Sequence, residues 1–170
     1  MNNEASDSRE HPSDEVSGKD ELRALQLIRA GSGHFGILAD QIATIVDWRA
    51  PTPLPHAPKS VLGVVSIQGR MLTVLDLRRL TGGESASTDV TVDNHRNIVA
   101  LRGDEQLALA VDGVGETVKI ADRDLKAGQG SAGTLILAIL HFESSELNVL
   151  NLQELFPAAI QGHERRRRRF

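Results

Sequence analysis

The sequence predicts an all-β fold of two similar barrels, and three observations carry that prediction. Ten short apolar segments follow one another, each bounded by turn residues. The apolar set is Val, Ile, Leu and Ala with four Phe, one Trp and no Tyr, a composition whose β-branched members favour strands. Parts of the first five segments recur in the second five.

The first group reads as strands at Leu25–Arg29, Phe35–Ala39, Ile42–Trp48, Val61–Ile67 and Met71–Leu77. Apolar and polar residues alternate in Gln26-Leu27-Ile28-Arg29, the period of a half-buried strand. Gly31-Ser32-Gly33 and Gln68-Gly69-Arg70 have the chemistry of hairpin turns. Pro51, Pro53, Pro55 and Pro58 stiffen the connection before the fourth strand, because each fixes φ and withholds an amide donor. Asp76 is placed to cap one helical turn, Leu77–Leu80, which Gly82-Gly83 stops.

The second group reads as strands at Asn97–Leu101, Leu107–Val111, Val114–Ile120, Leu135–Phe142 and Leu147–Asn151, with turns at Arg102-Gly103-Asp104 and Ser144-Ser145. Asn151 caps a second turn over Leu152–Phe156, and Pro157 stops it. So many short strands point to barrels or a sandwich. The repeat narrows this. Phe35–Ile42 aligns with Leu107–Val114 at an offset of 72, and Val74–Leu80 with Val149–Leu155 at an offset of 75. Two similar subdomains follow, over about residues 35–95 and 96–150, with exchange of edge strands between them.

Charge is uneven along the chain. Residues 1–21 carry seven acids and two bases and read as a disordered acidic tail. Residues 158–170 read as a basic tail ending in Arg165, Arg166, Arg167, Arg168 and Arg169. The net charge of −4 excludes a globally basic nucleic-acid footprint. There is no cysteine, which excludes thiol chemistry and suits a reducing compartment. No apolar run is long enough to span a bilayer, and the first residues lack signal-peptide character. The expected location is cytoplasmic, without membrane insertion.

Residues able to carry chemistry are scattered. Gly128–Gly133 matches G-x-G-x-x-G but opens into a strand-like run, so it reads as a loop and not as a dinucleotide site. His11, His34, His56, His95, His141 and His163 show no metal-ligand spacing. Asp104-Glu105 and Asp122/Asp124 read as solvated carboxylates. No catalytic, cofactor or metal residue is assigned, and an enzyme is not expected. The alternative function is a small β-barrel that binds nucleic acid or another anionic surface through Arg165–Arg169.

One stretch carries a resemblance. Pro51–Pro58, Ser60–Gly69 and Arg70–Arg78, with Phe35–Ile45 upstream and Leu107–Val118 downstream, are similar in order and spacing to the signature of the CheW-like domain. The resemblance spans about residues 22–157. It implies two five-stranded, SH3-like barrels packed side by side, with short helical turns closing each half. It also implies a non-catalytic adaptor with no cofactor and no small-molecule substrate. Such an adaptor joins a methyl-accepting chemoreceptor tip to the regulatory domain of a CheA-type histidine kinase. The partner-binding residues it implies are Thr44, Ile45, Pro53, Leu54, Val64, Val65, Gln68 and Gly69. The sequence departs from the family at two of them. The family's glutamate falls on Thr44 and its arginine on Gln68, so a salt bridge common beside the receptor-binding face is lost as a pair.

Overall fold

The computed structural model describes residues 20–82, 95–129 and 134–167, with the side chains of residues 162–167 excepted. Ten strands form: β1 (Leu22–Ala30), β2 (Gly33–Leu38), β3 (Ile42–Asp47), β4 (Val61–Ile67), β5 (Arg70–Asp76), β6 (Asn97–Leu101), β7 (Leu107–Val111), β8 (Gly113–Ala121), β9 (Ile136–Phe142) and β10 (Ser145–Leu150). Each coincides with an expected segment to within three residues at either end. The helices are α1 (Leu77–Leu80), α2 (Asp122–Ala127) and α3 (Leu155–Arg167), with 3-10 turns at Ala39–Gln41 and Leu152–Glu154.

The strands make two five-stranded sheets, ordered β8-β1-β2-β10-β9 and β3-β6-β7-β5-β4. These sheets do not follow the sequential halves 35–95 and 96–150. Counted as β1–β5 and β6–β10, each group of five lends its first hairpin, β1–β2 or β6–β7, to the sheet that holds the last three strands of the other. A whole hairpin is exchanged, more than an edge strand. The repeat survives in the register. Phe35 lies opposite Asn148 in one parallel ladder, and Leu107 lies opposite Thr73 in the other. The offsets of 72 and 75 convert one pair into its counterpart.

Each sheet curls on its own core, and a third core lies between them. Val65, Ile67, Leu72, Val74 and Ile98 fill the second sheet's core. Leu25, Leu38, Leu125, Leu147 and Val149 fill the first's. The shared core takes Ile28, Phe35 and Ile37 from one sheet and Leu75, Val99, Leu109 and Val111 from the other. Nearly continuous burial along β6 and β7 reflects this two-sided packing.

The proline-rich loop closes one barrel. Thr52 exchanges both backbone hydrogen bonds with Val64, at 2.8 and 2.9 Å. Gly63 permits the approach, since its φ is +141° and a Cβ there would sit 2.1 Å from the Thr52 carbonyl oxygen. The other barrel closes where Gln129 bridges Ala138.

The helical ends need two corrections. Asp76 caps α1 by accepting from the Arg78 and Arg79 amides, and Asn151 accepts from the Gln153 amide, as expected. Pro157, however, does not stop the second turn, and α3 continues to Arg167. Proline there lies in the helix's first turn, where an amide has no intrahelical acceptor to lose. The chain beyond residue 157 is therefore not all tail: Leu155 and Ala159 are buried, and the Ala159 carbonyl accepts from the Ser60 hydroxyl. The expected acidic tail lies outside the described residues except at its end. There Asp20 pairs with Arg123, and the Glu21 carbonyl accepts from the Asp122 amide.

Candidate functional site

Five of the eight expected partner-binding residues gather along the outer edge of β4. Pro53 and Leu54 are exposed on the loop that Thr52 ties to Val64, and Gln68 and Gly69 form the exposed β4–β5 turn. Val65 differs. It is buried in the second sheet's core, so it supports this face from below. Thr44 and Ile45 sit half-buried on β3, the other outer strand of the same sheet, opposite Ala100 and Val99. Among the described residues no hydrogen bond joins Thr44 to Gln68. Exposed Met71 follows the turn, so this face carries Leu54 and Met71 as its large apolar groups. The outward backbone groups of β4 are met by Thr52 at Val64 and by Arg49, which donates to the Ser66 carbonyl at 3.4 Å. Those partners blunt the strand as a free edge.

A groove of about 390 Å³ runs between the barrels. Its walls are the β1–β2 turn at Ser32 and Gly33, the end of α1 at Leu80 and Thr81, and Leu135 and Ile136 leading into β9. The repeat generates a counterpart of about 560 Å³ from the β6–β7 turn and Leu152-Gln153, where Asp40, Arg102, Asp104 and Glu105 add charged side chains to the lining.

Against the β1–β2 turn and α1, which supply two of that first groove's walls, lies a charged cluster that the sequence did not announce. Asp112 Oδ2 accepts from the Gly31 amide at 2.5 Å and from Arg78 Nη2 at 2.6 Å. Asp76 Oδ2 lies 3.2 Å from Arg79 Nε. His95 sits between the two carboxylates, with Nε2 3.7 Å from Asp76 Oδ2 and Nδ1 3.5 Å from Asp112 Oδ1. All three central side chains are over nine-tenths buried. Burial pushes the Asp76 carboxyl up, but His95 and Arg79 outweigh it and hold the group below the ordinary carboxylate range. These residues lie 19 and 17 positions apart, so no local motif could reveal them. The one available signal is the repeat, whose offset of 72 aligns Asp40 with Asp112. Asp40 itself is exposed and pairs with Arg23.

The remaining candidates are not assembled into a site. Gly128 caps α2, where a Cβ would meet the Ile139 carbonyl oxygen at 2.6 Å. The rest of its glycine motif, 130–133, lies outside the described residues. Asp122 opens α2, an element not read from the sequence, and pairs with Lys126 at 2.7 Å; this contact lowers the carboxyl's pKa and raises the amine's. Arg165, Arg166 and Arg167 lie on α3, while Arg168 and Arg169 fall outside the described residues. Among the described residues no group of His, Cys, Asp and Glu could hold a metal ion, and no helix is long and apolar enough to cross a membrane.

Comparison with known proteins matches this architecture. A solved structure of the scaffolding protein TtCheW from Thermoanaerobacter tengcongensis superposes with a TM-score of 0.66 at 17% identity, covering 80% of this chain and 93% of that one. A chemotaxis protein CheW from Rhizobium meliloti is 29% identical over 140 residues, 80% of this chain and 88% of the relative. Another from Bacillus subtilis is 25% identical over 122 residues, 69% of this chain and 76% of the relative. The family model of the CheW-like domain matches residues 25–159, from the first strand to α3, and so takes in both barrels and the groove between them. The chain belongs to the CheW-like domain family.

Proposed function

We propose that the chain is a chemotaxis adaptor that joins a methyl-accepting chemoreceptor tip to the regulatory domain of a CheA-type histidine kinase. The observation that carries this reading is the family match over residues 25–159, which leaves neither barrel nor the groove out. The β4 face supports it physically. Pro53, Leu54, Val64, Gln68 and Gly69, with Met71 beside them, present apolar area on a loop and turn braced by backbone bonds, so little order is lost on binding. Thr44 and Ile45 on β3 extend the surface, and buried Val65 holds its shape. Such a module works by position and needs no reactive group.

Affinity capture from cells that carry a chemosensory system tests this. The full chain is expected to retain a CheA-type kinase or a methyl-accepting receptor. Leu54→Asp with Met71→Asp, two exposed changes, should cut recovery about tenfold while the far-ultraviolet spectrum stays unchanged. Recovery of neither partner sinks the reading; recovery untouched by the double variant moves the contact off this face.

A further inference from the structure

The charged cluster held between the β1–β2 turn and α1 contains an arrangement that a proton would complete. His95 Nδ1 and Asp112 Oδ1 face each other at 3.5 Å, and both lack a hydrogen-bond partner among the described residues. Buried polar atoms are seldom left so, and each such pair calls for an explanation. A bridging water does not fit, because it would hold the two atoms about 4.5 to 5.5 Å apart. Two bare acceptors at this distance repel. One proton on Nδ1 turns the repulsion into a charge-assisted hydrogen bond and satisfies both atoms at once.

The groups around the ring make the site specific. Asp76, at the end of β5, faces Nε2 and is held by Arg79 of α1. Asp112, between β7 and β8, faces Nδ1 and is held by Arg78 of α1 and by the Gly31 amide of the β1–β2 turn. The Trp48 ring lies 5.0 Å from the imidazole, centre to centre. Asp112 thus ties one groove wall, the Gly31–Gly33 turn, to the other, α1, and its free oxygen looks at a residue able to change charge near neutrality.

We propose that His95, Asp112 and Arg78 form a proton-completed staple across the two barrels, tight when His95 carries both ring protons and slack when Nδ1 is bare. His95 and Asp112 are then positioning residues for the groove, and the consequence for partner grip rests on the adaptor reading above. Protonation at the ring pulls Asp112 toward His95 and, through Arg78 and Gly31, draws the walls together. A rise in pH releases them. Its counterpart in the repeat, Asp40, is paired with Arg23 and has no histidine facing it among the described residues, so the second groove lacks the device there.

The isolated full chain suffices for the test. Trp48, the chain's one tryptophan, reports on its neighbour, since an imidazolium quenches indole emission more than a neutral imidazole. Emission should change with pH in the native chain and stay flat in His95→Gln. In Asp112→Asn the titration should persist with its midpoint moved acidward, because the group that rewards the second proton has lost its charge. Asp40→Asn should leave it unmoved. The Ser32 and Gly33 amide resonances should follow the same midpoint as Trp48. Flat native emission, or a midpoint unmoved by Asp112→Asn, overturns the staple; should Asp112→Asn not fold, His95→Gln alone decides. Amides that ignore the transition overturn its link to the groove. None of these readouts needs a partner, so a failed capture experiment would leave the staple standing.

Discussion

Glu143 and Ser144 turn the chain between β9 and β10 with φ of +46° and +68°, and neither is glycine. Both central residues of such a two-residue hairpin must enter the left-handed region, which costs a side chain what glycine avoids. The sequence pointed to a turn here but placed it one residue late, at Ser144-Ser145, because no glycine marks it. Ser144→Gly should therefore stabilise the fold by about 0.5 to 1 kcal/mol in urea unfolding; a loss would mean the hydroxyl makes a contact worth more than the strain. Asp76 makes an opposite kind of contribution. Its carboxyl is held below the ordinary range, so its share of stability is full above the unfolded value of about 3.9 and is lost as pH falls through the folded one. The stability gap between the native chain and Asp76→Asn should narrow in acid, as pH falls below the unfolded value. A gap that widened below about pH 4 would show that burial governs this carboxyl instead.

At the scale of elements, periodicity placed the strands well because each is short, aliphatic and bounded by glycine, proline or charge. Helices were less legible. Asp122-Arg123-Asp124-Leu125 reads as a polar turn, yet α2 forms because buried Leu125 anchors it in the first sheet's core. Pro157 looks like a stop signal, and only the helix register shows that it occupies a permissive position. Leu155 is fully buried in the shared core, so Leu155→Ala should cost about 2 to 4 kcal/mol by calorimetry or denaturant. A mobile tail starting near residue 155 would make that change almost silent. Gly63→Ala is the sharper probe of the proline loop. Its Cβ would overlap the Thr52 carbonyl, so a loss of about 3 kcal/mol or more should accompany release of the Thr52 and Val64 amides to exchange.

For the whole molecule, strand content and the repeat were visible in the residues, and the pairing of halves was not. Offsets of 72 and 75 say which segments are equivalent; they do not say which partner each hairpin chooses. Equivalent halves offer equivalent edges, and the choice between pairing at home and pairing across is made by the shared core. The β4 face was legible through its prolines and its turn. The charged cluster was not, because Asp76, His95 and Asp112 meet only after the hairpins have crossed.

The exchanged hairpins also impose a schedule on a chain made from its amino end. All strands of the second sheet lie between residues 42 and 111, so that sheet is complete in the emerging chain before the first has received β8. Until residues 113–150 follow, β1 and β2 exist as a lone hairpin, which is marginal in water and exposes edges open to wrong partners. Pulse-labelled exchange during refolding should protect β5–β7 ahead of β1 and β2, and a nascent chain halted near residue 111 should already resist protease between 42 and 111. The pairing that locks the two barrels together leaves the molecule's oldest strands waiting longest for their place.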